Sequence, residues 1–151
     1  MRWAALILIV AVLCACSTRY QDMGLTGGVA AQQMTANTFR ISARGNAYTS
    51  PTTIQDYMVL KAAETTKQVG GTHFIIISAA DASRTSYIST ASTARTTVVG
   101  NTAYTTYNPG SIYGHFKPGQ DAYIRVVPAG TPGATPADEI IRFVGSRVKR
   151  G

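Results

Sequence analysis

Reactive side chains are scarce in this 151-residue chain: two cysteines (Cys14, Cys16), two histidines (His73, His115) and seven acids. Two Cys and two His cannot furnish two zinc-finger-type sites, and a disulfide-dense scaffold is impossible. A serine hydrolase needs a serine on a sharp turn, a histidine base and an orienting acid. Serines are plentiful, but no Gly-x-Ser-x-Gly elbow is present. His73 opens an apolar run and reads as structural. His115, within Tyr113-Gly114-His115-Phe116, can in principle take Asp121 as its orienting acid, although a solvated loop histidine is the simpler reading. Asp56 and Glu64 lie eight residues apart on one helical face, about 12 Å at 1.5 Å per residue, too wide for a retaining glycosidase. Asp138 and Glu139 are adjacent and do not face each other. Gly24, Gly27 and Gly28 lack the Lys-Ser/Thr of a phosphate-binding loop. The expectation is a protein that is not an enzyme and holds no metal or cofactor.

The cysteine with the clearest chemistry is Cys16. Met1-Arg2 precedes an apolar run from Trp3 to Leu13, the plan of a secretory signal peptide and shorter than the roughly 20 residues of a membrane-spanning helix. It ends in Leu13-Cys14-Ala15-Cys16, which resembles the lipobox of bacterial lipoproteins. The resemblance implies cleavage between Ala15 and Cys16, a thioether from Cys16 to diacylglycerol, and acylation of the freed amine. Several acyl chains hold a protein stably, at about 0.8 kcal/mol per buried CH2. Ser17 rather than Asp implies retention at the outer membrane, facing the periplasm. Residues 1–15 are then a signal peptide, 16–27 a lipidated tether and 28–151 a single domain. Cys14 and Arg2 leave with the leader, so 13 basic residues face 7 acidic ones, net +6.

The elements that must position the remaining residues are partly legible. Val29 to Met34 reads as an edge strand. In Thr38 to Tyr48, Phe39, Ile41 and Ala43 alternate with Arg40, Ser42 and Arg44, the period of a half-buried strand. Ser50-Pro51 starts a helix over Thr52 to Val69, stopped by Gly70-Gly71. His73 to Ser78, centred on Phe74-Ile75-Ile76-Ile77, reads as a central strand covered on both faces. Ala122 to Val127 is a further strand, and Thr135-Pro136 opens a second helix with Asp138 and Glu139 in its first turn. Between them, residues 82–119 are dominated by Thr, Ser, Tyr, Asn and Gly and sustain no apolar period. They read as a long flexible loop, with a possible hairpin turn after Val98-Val99 at Gly100-Asn101. The fold class expected is α+β: a small three- to four-stranded sheet with two helices on one face and a long Ser/Thr/Tyr-rich loop.

Three segments carry a family resemblance. They are Tyr20-Gln21-Asp22-Met23-Gly24 before Gly27-Gly28; Asn37-Thr38-Phe39-Arg40-Ile41 leading into Arg44-Gly45-Asn46-Ala47-Tyr48-Thr49-Ser50; and Asp56-Tyr57 with Leu60-Lys61-Ala62-Ala63-Glu64, Gly71 and Phe74-Ile75-Ile76. Together they resemble an uncharacterised family of small proteobacterial envelope lipoproteins. The resemblance implies a lipid-anchored envelope protein and supplies no catalytic residue.

Charge points to a partner class. Lys and Arg number 14 against 7 acids, while charged residues are only 14 % of the chain, below the roughly 25 % of soluble domains. Arg40 and Arg44 share one strand face and Arg125 can join them from a neighbour, a candidate anion-binding patch for lipid headgroups, lipopolysaccharide phosphates or peptidoglycan carboxylates. Nucleic acid is not expected as a partner in this compartment. Five of the eight tyrosines (Tyr87, Tyr104, Tyr107, Tyr113, Tyr123) fall from the loop onward, and Tyr with Ser gives contact area at low entropy cost. The expected function is a non-enzymatic lipoprotein that binds or scaffolds envelope components. The alternative is an envelope stress sensor acting through a protein partner.

Overall fold

The computed structural model describes residues 17–151; Ala15 and Cys16, the expected cleavage and lipidation positions, lie outside them. The elements are β1 (Gly28–Gln33), β2 (Thr38–Arg44), α1 (Pro51–Gln68), β3 (His73–Asp81), β4 (Arg84–Ser89), β5 (Thr93–Val99), β6 (Thr102–Asn108), β7 (Ile112–Lys117), β8 (Gly119–Val127), β9 (Thr135–Pro136) and α2 (Ala137–Phe143). The class is α+β with two helices. The main sheet has five strands in the order β1-β2-β8-β3-β9 rather than three or four, and the remaining strands form two two-stranded sheets, β4-β7 and β5-β6. Every neighbouring pair of the main sheet is antiparallel. The extra strand, β9, is only Thr135-Pro136 against His73 and Phe74, too short to show a period. The chain divides into two compact units, residues 85–116 and the remainder.

In the larger unit the alternation of β2 does what its period requires. Phe39, Ile41 and Ala43 are buried, as are Ala122 and Ile124 across on β8. Helix α1 lies over this face. The Ser50 hydroxyl accepts from Thr53 N at 3.1 Å, Pro51 occupies the first turn, and Gly70 follows the last turn at φ +81°. Ile54, Tyr57, Met58, Leu60, Ala62 and Ala63 are its buried side chains. Each large one contributes about 1.5–3 kcal/mol of apolar burial. The second helix adds Ala137, with Ile140 and Ile141 packed against the same cluster.

Strand β3 departs from expectation. Phe74 is fully buried, yet Ile76 and Ile77 are 44 % and 47 % exposed. The pairing with β8 shifts register between Ile76 and Ser78, so Ile77 drops out of the ladder. The strand is therefore covered at Phe74 and open beyond it.

The smaller unit corrects the reading of 82–119 as an irregular loop: it is built of strands. β5 and β6 pair from Thr93↔Asn108 to Val99↔Thr102, closed by the two-residue turn Gly100-Asn101. Gly100 sits at φ +65°, where a type II′ hairpin turn places its glycine. Thr, Tyr and Val have high β propensity, but every described side chain from Thr85 to Phe116 is exposed. With neither face buried, no apolar alternation is imprinted on the sequence.

Candidate functional site

The face of the main sheet turned away from α1 gathers the three arginines. Across β2 and β8, Thr38 stands opposite Arg125, Arg40 opposite Tyr123 and Ser42 opposite Asp121; directly opposed residues share a face. Arg44 lies on this face two residues beyond Ser42. So Arg40 and Arg44 meet at Asp121, while Arg125 lies on the same face at the far end of the ladder, opposite Thr38. Arg44 grips Asp121 through two contacts, Nη1 to Oδ1 at 2.8 Å and Nη2 to Oδ2 at 2.9 Å, and Arg40 Nη2 reaches Oδ2 at 3.2 Å. Arg44 Nη1 also donates to the carbonyls of Ala43 and Gln120. The Arg44 hydrogen bond, helped by Ser42 and Arg40 and opposed by burial, lowers the Asp121 carboxyl to about 2.

Arg44 is thus largely committed internally. Arg40 remains 41 % exposed at its side chain, Arg125 is exposed and makes no ion pair among the described residues, and Tyr123 offers an exposed ring and hydroxyl beside them. A shallow groove of about 350 Å³ runs over Met23, Ala30, Gln32, Arg40, Ser42 and Arg44. Chemically this arrangement can bind an anion.

Asp121→Asn is expected to raise affinity for anions, because it frees the forks of Arg40 and Arg44. It is also expected to cost about 1 kcal/mol of stability at neutral pH, a figure reduced for solvent screening of half-exposed arginines. The folded carboxyl titrates below the unfolded one, so this contribution is complete above about pH 4 and disappears as pH falls toward about 2. Urea unfolding of both proteins between pH 2 and 7 measures it: the two curves should converge at the acid end.

Three of the other residues weighed for chemistry, Asp56, Asp138 and His73, have structural partners. Asp56 forms a fork with Arg147, Oδ2 to Nε at 3.0 Å and Oδ1 to Nη2 at 2.8 Å. Asp138 pairs with Lys67 at 2.9 Å. His73 Nδ1 is 2.9 Å from Thr72 Oγ1. His115 is exposed on β7, while Asp121, its candidate orienter, is held by Arg44. Among the described residues no cluster of three His, Cys, Asp or Glu can hold a metal.

A second constellation escaped the sequence reading. Residues 17–25, expected as part of a tether, begin as a docked strap: Thr18 and Tyr20 are only 3 % and 6 % exposed. Thr18 N donates to Thr49 Oγ1, its hydroxyl donates to Thr26 O, and its carbonyl accepts from the Tyr57 hydroxyl at 2.8 Å. Tyr20 donates its hydroxyl to Glu64, meets the Tyr57 ring edge-on at 5.4 Å, and lies under the Arg150 guanidinium. Arg150 Nη2 in turn binds Glu64 Oε1 at 2.8 Å. The backbone closes the arrangement: Tyr20 N donates to Lys149 O, and Gly151 N to Tyr20 O. Polar Thr18 is buried by hydrogen bonds rather than by apolar area, so hydropathy does not mark it.

No family model, no curated protein and no solved structure matches this chain. Fold and site together define an α+β domain with an open, cationic sheet face and a strap at Thr18–Tyr20 that pairs with Lys149 and Gly151.

Proposed function

We propose that the protein is a non-enzymatic, lipid-anchored lipoprotein of the outer membrane, facing the periplasm, that binds or scaffolds anionic envelope components. The observation that carries the reading is the open sheet face, on which Arg40 and Arg125 offer guanidinium forks beside Tyr123. Such forks suit carboxylates and phosphates. The strap supports the anchor: with Thr18 buried, an acylated Cys16 sits two residues from the docked body, so the domain stays at the bilayer surface, within reach of lipid headgroups and the polymers above them.

Two measurements test this. Intact-mass analysis of the protein from envelopes should find a chain that starts at an acylated Cys16. Cross-linked envelopes should yield an anionic polymer or an envelope protein on pull-down, and Arg40→Glu with Arg125→Glu should reduce that yield at least tenfold. A mature N-terminus elsewhere removes the anchor from the reading. A yield unchanged by the double charge reversal removes the arginine face.

A further inference from the structure

The smaller unit has the architecture of a protein part that is incomplete alone. A two-stranded ribbon is at best marginally stable in water, and here each strand keeps an outer edge that nothing in the unit pairs. Natural edges are blunted by charges, by prolines inside strands or by covering elements. From Thr85 to Phe116 the only Lys, Arg, Asp or Glu is Arg95, and the single proline, Pro109, lies between β6 and β7 rather than within a strand. Every described side chain there is exposed.

The hairpin β5-β6 also shows which groups seek partners. Its two-residue turn makes Val99↔Thr102 a hydrogen-bonded pair, and pairs alternate from there. Thr96↔Thr105 is then a non-hydrogen-bonded pair, and their amides and carbonyls point outward from the ribbon. The close approach of their hydroxyls, 2.9 Å apart, fits this pair type. The same chemistry repeats on both edges: threonine-rich strands with free amides and carbonyls at Ala94, Thr96 and Val98 on β5, and at Ala103, Thr105 and Tyr107 on β6. The edge of one copy is therefore complementary to the opposite edge of another. Side chains of the hairpin also sort by face. Ala94, Thr96, Val98, Ala103, Thr105 and Tyr107 form an uncharged side, while Arg95 and Asn108 fall on the other.

We propose that several copies of this chain pair through these edges, β6 of one against β5 of the next, and close into an antiparallel β-barrel to which each copy gives one hairpin. Head-to-tail addition either closes into a ring or runs on as a filament. Anchors at Cys16, which rest on the function proposed above, hold every copy in the same orientation on one membrane surface and favour the ring. Closure leaves no free edge.

The test uses the full-length protein purified from envelopes in mild detergent. Native mass spectrometry should give one defined multiple of the protomer mass. Thr96→Pro and Thr105→Pro each remove an outward amide while sparing the ribbon's own ladder. Both variants should be monomers, and hydrogen exchange should still protect the main sheet of the larger unit, which shows that they fold. A monomeric wild-type protein, assembly undiminished in the proline variants, or a complex of one copy with a different protein would each overturn the proposal. Assembly without acylated Cys16 would leave the edge pairing standing and remove only the anchor.

Discussion

Truncating Tyr20 to alanine is expected to destabilise the larger unit by about 3–5 kcal/mol, the range for a buried aromatic removed from a packed site. Tyr20 is 6 % exposed and touches two parts of the chain at once: Tyr57 and Glu64 on α1, and Arg150 beyond α2. Against a total stability of roughly 5–15 kcal/mol, the loss is large, and it releases the strap between the proposed anchor and the body. Tyr20→Phe separates packing from hydrogen bonding. Glu64 keeps Arg150 as a partner, so the phenylalanine variant is expected to lose about 1–2 kcal/mol. The phenol also fixes a pH dependence. Burial, reinforced by the Glu64 hydrogen bond and charge, pushes its pKa well above the ordinary tyrosine value of 10.0. Its contribution is full below about pH 10, where both states hold the proton, and declines above it as the unfolded chain ionises alone. Urea midpoints of wild type, Tyr20→Phe and Tyr20→Ala at pH 7 and pH 10.5 check this. The wild type should lose stability between the two values, and the phenylalanine variant should lose less.

What could be read in advance depended on how each residue is buried. Phe39, Ile41 and Ala43 announce β2 because one face meets the helix and the other meets solvent. The capping serine, Pro51 and the Gly70-Gly71 stop gave α1 to within a residue at each end. That Arg40 and Arg44 share a side was legible for the same reason: a strand period fixes which side chains of one strand share a face. Which β8 residues join them was not, because the places of Asp121 and Arg125 depend on the β2-β8 register, which 76 or more intervening residues leave undetermined locally. Residues 84–117 hid for the opposite reason. Their strands bury nothing, so composition carried the only signal. The strap at Thr18 and Tyr20 hid because hydrogen bonds and one ring hold it, with no run of apolar residues to betray it.

The isoleucine-rich start of β3 gives the sharpest contrast between apparent and actual burial. Phe74→Ala is expected to cost about 3–5 kcal/mol, whereas Ile76→Ala and Ile77→Ala should cost about 1 kcal/mol or less each, near the range of substitutions outside a packed core. Composition alone ranks the three as neighbours in one apolar run. The structure does not. Phe74 stands opposite Val126 of β8 and Thr135 of β9 and is fully enclosed in the cluster that α1 covers, so its removal leaves a cavity bounded on every side. Ile76 is opposite Ile124, but its side chain remains 44 % exposed, and Ile77 falls where the register slips. Neither leaves an enclosed void, so the loss is confined to partial transfer energy. Val126, the residue opposite Phe74, is itself closely packed: a Cβ on Gly71 would approach its Cγ1 to 2.3 Å. Equilibrium urea unfolding of the three alanine variants measures the difference. Equal losses at Phe74 and Ile77 would mean that both faces of β3 are covered in solution, whereas a gap of 2 kcal/mol or more is the outcome expected of a strand enclosed at one end and open along the rest.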